Sequence, residues 1–342
     1  MSEQFNEAVT GAGSEWPTLD QVAKMAGVSR ATISRVLNSP HIVSATTAAR
    51  VRAAIDSLGY VPNLLAGGLA SNRSKLIAAF IPNAAHSVFG ESVQVMTDEL
   101  VRAGFEITLG LTGSHDEHMD RTLRAMLGRR PNGIVVTGVV TAAATRRLIT
   151  ASRIPTVETW DLPAEPIDMV VGFSQEKAGH CVAQYVLKKG YRRPLVLTAD
   201  GRRAQTRHAG FAGVMQDAGM QEIQQIIVPV PTTFTQGRQS LAQFLNAGGT
   251  ADVVVCSSDW MAYGVIAEAH SRGMRVPDDL AIIGFGNMDF AGDTHPALTT
   301  VHIDGAHIGR QAAALLLQRS QGIQPAARVV DVGFNIVERA SG

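Results

Sequence analysis

Arg30, Ala31, Thr32, Ser34, Arg35 and Asn38 fall within nine consecutive residues, and helical spacing puts all but Thr32 on one face. That face has a definite chemistry. A guanidinium forks onto guanine O6 and N7, hydroxyls of Ser and Thr reach phosphate or base edges, and an alanine methyl touches the thymine methyl. Such a helix suits the major groove of duplex DNA. A second polar set is dispersed, each member just past an apolar run. Thr137 follows GIVV, Glu158, Trp160 and Asp161 follow IPTV, Ser257, Ser258 and Asp259 follow VVVC, and Asn287 follows IIGFG. Arg207 lies in TRHAGF, early in a helical stretch. A guanidinium pairs a carboxylate through two parallel bonds. Carboxylates and amides exchange hydrogen bonds with sugar hydroxyls, and an indole stacks on an apolar sugar face. The combination suits a small polyhydroxy acid.

Local rules predict the elements that hold the first set. Thr18 and Gln21 form a T-x-x-Q capping box, and Leu19, Val22, Ala23 and Ala26 give the helix after it one apolar face. Gly27 stands where the chain must turn. Ser29 caps a second helix, in which Ile33, Val36 and Leu37 are expected inward. Thr18 and Ser29, at the two helix starts, join the DNA-facing set. Ser39-Pro40 breaks the second helix. A third runs from a Ser44 cap to about Leu58, with Val51, Ala54, Ile55 and Leu58 as its buried stripe and Gly59 as its stop. The expected result is a small all-α helix-turn-helix domain over residues 17–61, after a mobile arm at 1–16. The alternative is a solvated amphipathic hairpin with no nucleic-acid partner. Charge argues against that alternative. The chain has 30 basic and 30 acidic residues overall, yet Thr18 to Lys75 holds seven basic residues against two acidic, an excess of five.

Residues 62–74 read as a hinge. Pro62 favours a helix start and Leu64, Leu65, Leu69 and Ala70 make a stripe. Gly67 and Gly68 oppose it by about 1 kcal/mol each. A helix this weak is expected to form only when two copies pack together on DNA, with Leu69 wedging between bases from the minor groove and Asn63 beside it. A plain linker is the alternative.

From Lys75 the pattern changes to short apolar runs alternating with helical stretches. Strands are expected at Leu76–Ile81, Phe105–Leu111, Gly133–Thr137 and Thr156–Thr159, then at Pro194–Thr198, Ile226–Val228, Asp252–Cys256 and Leu280–Gly284. Continuous apolar strands between helices mean parallel sheets covered on both faces. The body is therefore α/β, two doubly wound parallel-sheet lobes in tandem. Ligands in such sheets bind at the carboxyl ends of the strands, where two facing lobes make a cleft.

AGVSRATISRVLN, followed by LGYVPN and NLLAGGLA, resembles the LacI family of transcription repressors, and the resemblance covers about residues 18 to 340. PNAAHSVFGESV, VETWDLPAEPIDMVVGF, TRHAGF and IIGFGNMD are most similar to the gluconate-repressor branch. The resemblance implies a periplasmic-binding-protein-like body, residues 75–342. The chain would cross between lobes near Phe173, near Thr300 and near Ala327. Lobe 1 would be about 75–173 plus 301–326, with the late helix Ala306 to Gln318, and lobe 2 about 174–300 plus 327–340. It implies that Arg207 and Asp259 bind an effector or brace its site. Thr137, Ser258 and Asn287 would be pocket positions that vary with ligand, and Ser87 and Phe89 would sit in a first-lobe loop lining the cleft. Asp259 is also placed to cap the helix that follows it. Gly286 stands where many sugar-binding members carry an aspartate, which fits an open-chain acid better than a pyranose.

Other chemistries find less support. His115 and His118 with Asp116, Glu117 and Asp120 open a helix, where acids complement the dipole, so no metal is expected. Gly284-Phe285-Gly286 lacks the third glycine of a phosphate loop, and no nucleophile–base grouping stands out. Neither an enzyme nor a cofactor is expected. Cys181 and Cys256 have no motif spacing and read as buried thiols. No basic start precedes an apolar run, and no run approaches a membrane span, which points to the cytoplasm and the nucleoid rather than an extracytoplasmic sugar-binding protein. No leucine-heptad tail follows the last strand, so a homodimer is expected rather than a tetramer. The expectation is thus a repressor bound to double-stranded operator DNA and released by a small sugar-acid effector, favoured as gluconate or a keto or phospho derivative. A family member answering a different sugar, or needing a corepressor, is the alternative.

Overall fold

The computed structural model describes residues 16–61, 74–84, 88–113, 116–220 and 222–342. The arm, the hinge with Asn63 and Leu69, Ser87 and the side chain of Asn38 lie outside what is described. The chain divides into two compact units, residues 1–72 and 73–342.

The first unit holds α1 (Leu19–Ala26), α2 (Arg30–Asn38), a short 3-10 turn (Pro40–Ile42) and α3 (Ala45–Leu58). Its core is small: Val22, Ala26, Ile33, Val36, Ala48, Val51 and Ala54. So few residues leave the helix ends to contribute much of the definition, at about 1 kcal/mol per cap. Thr18 and Gln21 form the reciprocal capping box, and Gly27 turns the chain at φ +62°. Ser29 accepts from the Thr32 amide and Ser44 from the Thr47 amide, while Gly59 ends α3 at φ +64°. Leu37 departs from expectation. It is 40% exposed and outside the core cluster, whereas Val36 beside it is buried within that cluster.

The second unit follows the alternating pattern. In chain order come β1 (Leu76–Ile81), α4 (Gly90–Arg102), β2 (Glu106–Leu111), α5 (Asp116–Leu127), β3 (Gly133–Thr137), α6 (Ala143–Ser152), β4 (Thr156–Thr159) and β5 (Met169–Gly172). Next are α7 (Gln175–Lys188), β6 (Pro194–Ala199), α8 (Arg202–Asp217), β7 (Gln224–Val228), α9 (Phe234–Asn246), β8 (Val253–Cys256), α10 (Asp259–Ser271), β9 (Ala281–Gly286) and β10 (Thr299–His302). The chain closes with α11 (Gly305–Ser320), β11 (Val329–Asp331) and β12 (Asn335–Val337). One sheet runs β11-β5-β4-β3-β1-β2 and the other β12-β10-β9-β8-β6-β7. Every pairing is parallel except β10 with β12. The strand order reverses at β1/β3 in the first sheet and at β6/β8 in the second. Those are the switch points where ligands enter such sheets.

Pairing sharpens one expected crossing and moves another. β10 pairs with β9, so Thr300 is still in the second sheet and the chain leaves only after His302. β11 pairs with β5, so the last crossing lies between Asp331 and Asn335, not near Ala327. β5, β10, β11 and β12 were not expected from the sequence, because they fall outside the regular alternation: no α-helix separates β4 from β5, β9 from β10, or β11 from β12. α11 does pack on the first lobe. A Cβ on Gly309 would stand 2.5 Å from the Ser92 carbonyl of α4, so glycine lets the two helices touch.

Candidate functional site

The two sheets of the second unit open onto one cleft of about 1190 Å³, lined from both lobes. The entry of α8 forms its floor. Gly201 opens that helix with no side-chain cap, so the first backbone amides lack side-chain acceptors where Arg202, Arg203 and Arg207 line the cleft. Such a helix start favours negative charge. The helix begins at Arg202, five residues before Arg207, which brings Arg202 and Arg203 into its first turn.

Arg207 is held firmly. Nη1 donates to Gln175 Oε1 at 2.6 Å and Nη2 to the Ser257 carbonyl at 3.2 Å, with the guanidinium 3.8 Å from the centre of the Phe285 ring. Two glycines permit this. A Cβ on Gly179 would stand 2.0 Å from the Arg207 carbonyl, and one on Gly210 would stand 2.3 Å from the Glu176 carbonyl. α7 and α8 therefore meet backbone to backbone and carry Gln175 to Arg207. One turn earlier, Arg203 lies 4.7 Å from the Phe89 ring centre and donates from Nη1 to the Thr137 carbonyl at 3.4 Å. Phe89 and Thr137 belong to the first lobe, so this arginine bridges the cleft. Gln175 does likewise, donating to the Trp160 carbonyl at 2.8 Å.

Burial pulls Arg207 down to about 9, with repulsion from Arg203 adding to it, and Arg203 to about 10, opposed by Asp161. Both values lie above neutral pH, so both side chains stay charged. Asp161 is the carboxylate among them. It is half-buried, accepts from its neighbour's Leu162 amide at 2.9 Å, and burial raises its pKa against the attraction of Arg202, Arg203 and Arg207. Three guanidiniums against one carboxylate leave the floor positive.

The remaining expected residues divide between wall and brace. Thr137, Phe89, Trp160, Ser257, Ser258 and Asp259 line the cleft. Trp160 is buried, its Nε1 donating to Ser92 Oγ at 2.8 Å and its ring edge-on to Phe89 and Phe173, so it shapes the wall rather than offering a free face. Ser258 caps α10 through the Met261 amide, the part left open for Asp259, and meets Thr232 Oγ1 at 2.9 Å. Asp259 is fully buried. Its carboxylate accepts from Thr300 Oγ1 at 2.6 Å and the Met288 amide at 2.7 Å, fixing the turn after β9, and burial raises its pKa. Only glycine fits opposite it, since a Cβ on Gly284 would stand 2.2 Å from Asp259 Oδ1.

Two expected residues do not reach the cleft. Asn287 turns away, accepting from Arg339 Nη2 at 2.8 Å and facing His302 Nδ1 at 3.2 Å, and Met288 takes its place on the wall. Glu158 is fully buried behind the wall, accepting from the Ile167 amide at 2.8 Å and the Val140 amide at 3.4 Å, with Arg146 at 3.8 Å. Asn287 follows β9 and Glu158 lies within β4, and because side chains along a strand alternate direction, strand order alone does not say which way they point. Gly286 has φ +125°, and a Cβ there would stand 3.2 Å from Val88 Cγ2, so an acidic side chain would be both strained and cramped. Arg203 and Gln175 were not expected. The spacing of Arg203 and Arg207, four apart on one helix face, was the available signal.

In the first unit, Arg30, Ala31, Ser34 and Arg35 are exposed on α2 and Thr32 is half-buried. Thr18 and Ser29 use their hydroxyls as caps. Arg30 forms a two-bonded ion pair with Asp20. Among the described residues no group of His, Cys, Asp and Glu is placed to hold a metal, and no helix is long and apolar enough to cross a membrane.

Comparison with known proteins places both units. Residues 18–63 match the family described as bacterial regulatory proteins, lacI family, and residues 183–342 match a periplasmic binding protein-like domain. The HTH-type transcriptional regulator GntR of Pseudomonas aeruginosa is 33% identical over 327 residues, 95% of each chain. The protein of that name in Escherichia coli is 28% identical over 321 residues, 94% of this chain and 97% of that one. The ribose operon repressor of Escherichia coli is 29% identical over 307 residues, 88% of this chain and 92% of its own. Among solved structures, a LacI-family transcriptional regulator from Silicibacter pomeroyi superposes with a TM-score of 0.89 at 31% identity, over 95% of this chain and 99% of that one. The lac repressor dimer bound to operator and the anti-inducer ONPF gives 0.79 at 25% identity, over 96% and 99%.

Proposed function

The chain belongs to the LacI family of bacterial regulatory proteins, a DNA-binding transcriptional regulator and not an enzyme, and from that premise we propose that it is a repressor released from its operator by a small sugar acid. The observation that carries the choice of ligand is the pair Arg203 and Arg207. Each guanidinium lies against an aromatic ring, each is bonded to neutral oxygens, and the floor they form is positive. A carboxylate bound between them would gain charge-assisted bonds where solvent competes little. The GntR-named relatives support gluconate or a keto or phospho derivative.

In this reading two copies bind as a homodimer in the cytoplasm. Each α2 enters a major groove at one half-site of a near-palindrome, with Arg30, Ala31 and Arg35 toward the bases and Thr18, Ser29, Thr32, Ser34 and Asn38 toward phosphate or base edges. Residues 62–74, with Asn63 and Leu69, engage the minor groove between them. The ligand acts through the bonds that join the lobes, Arg203 to Thr137 and Gln175 to Trp160, because a carboxylate on the floor competes for the same donors. The coupling is reciprocal: an acid that weakens DNA binding is itself bound more weakly on DNA, by the same factor.

Fluorescence anisotropy on a duplex carrying a pseudo-palindrome from upstream of sugar-acid genes tests this. The proposal expects tight binding that weakens steeply with salt and is reversed by gluconate or a derivative. Binding that no sugar acid reverses rejects the inducer assignment, and no binding at low salt rejects the operator.

A further inference from the structure

Asp20 lies in the first turn of α1 and Arg30 opens α2, ten residues later. Their side chains meet fork to fork across the turn. Arg30 Nε donates to one carboxylate oxygen of Asp20 and Nη2 to the other. The side chains are 67% and 60% exposed, so the pair contributes little to the stability of the head. Its consequence is orientation. A guanidinium has five N–H donors in one plane. Asp20 takes the Nε–H and one Nη2–H, along one edge. The other edge, with one Nη1–H and the second Nη2–H parallel to each other, remains available. That edge has the geometry that matches guanine O6 and N7.

We infer that Asp20 is a specificity-determining, positioning residue: it holds Arg30 from behind so that the free fork reads a guanine at the base pair facing the start of α2. The inference rests on the reading of α2 as the groove-entering helix. Asp20 acts in two opposed ways. It orders the long arginine before DNA arrives, which sharpens the choice of base. It also places a negative charge near the phosphates, which weakens attachment to every sequence alike. Removing it therefore lowers specificity while raising general affinity. A change that merely loosened α1 would lower both.

The test is selection by the full chain from a duplex library randomised across a pseudo-palindrome, followed by titration of duplexes altered one base pair at a time. Wild type, Asp20→Asn and Arg30→Ala are compared. Asp20→Asn keeps the shape of the side chain, and circular dichroism melts confirm that the head is folded. A bidentate contact discriminates between bases by about 5- to 150-fold. The expected result is one guanine per half-site whose preference vanishes in Arg30→Ala and falls about 5-fold in Asp20→Asn, while affinity of Asp20→Asn for an unselected duplex rises. Asp20→Asn with unchanged preferences, or with a change at a base pair that Arg30→Ala leaves alone, overturns the inference. A wild-type chain that selects no sequence overturns the DNA-reading premise as well, and so the two failures are told apart.

Discussion

The head and the cleft solve opposite problems. The head carries the residues proposed to read DNA within nine positions of one exposed helix, over a core of a few small side chains. The cleft draws its residues from Pro82 to Met288 and holds its arginines against rings and carbonyls. In the head, caps and turns are enough, because one helix face presents the whole site. In the cleft, position comes from tertiary packing, above all from the backbone contact of α7 and α8 at Gly179 and Gly210. A surface that must enter a groove has to stay exposed, whereas one that must capture an ion gains from exclusion of water.

If the two regions are as separate as this comparison says, substitutions will affect one and spare the other. The largest effect is expected from Arg207→Ala. It removes a charged, partly buried anchor and is expected to cost about 2–5 kcal/mol of ligand affinity, with DNA binding by the ligand-free chain unchanged. Calorimetry and anisotropy on one preparation check this, and loss of both activities would break the separation. Next is Gly210→Ala. Its methyl would press on the Glu176 carbonyl and drive α7 from α8, so the body is expected to lose about 1–3 kcal/mol and ligand affinity with it. Differential scanning calorimetry should show the body's transition lowered and the head's unmoved. Arg35→Ala is the converse, costing about 1–3 kcal/mol of operator discrimination and no ligand affinity.

The smallest effect sharpens the account of charge. Burial raises the Asp161 carboxyl above its ordinary 3.8. For a raised acid, the folded state holds the proton more tightly than the unfolded one. Its contribution is therefore complete below 3.8 and is lost as pH rises through the raised value. Asp161→Asn is thus expected to raise the ligand-free Tm at pH 7.5, by an amount that shrinks as the pH is lowered toward 4. A gain that is independent of pH would mean that the carboxylate's charge is not its cost.

The head was legible almost residue by residue because its determinants are local. Thr18, Gly27, Ser29, Ser44 and Gly59 each do what their neighbours in the chain require. Leu37 was misplaced because helical periodicity gives a direction but not whether anything lies in that direction. The alternation of strand and helix in the body was legible for the same local reason, and β5 and β10 to β12 were not, because no α-helix sets off β5 from β4, β10 from β9 or β12 from β11. The cleft was half legible. Arg207, Ser258, Asp259 and Thr137 do line it. Asn287, after β9, and Glu158, within β4, were expected there as well, but Arg339 and the Ile167 amide claim them, and those partners lie far away or around a loop. Arg203 needed knowledge of where α8 begins, which an uncapped glycine does not announce.

The central claim is that the cleft binds an acid through its arginines. Isothermal titration calorimetry of the full chain with gluconate, ketogluconate and 6-phosphogluconate, beside neutral ribose, tests it directly when repeated on Arg207→Ala. The account predicts that at least one acid binds more tightly than ribose and that Arg207→Ala abolishes the difference. It is contradicted if none of the three acids binds, or if ribose binds more tightly than any of them and the substitution leaves the acids unaffected.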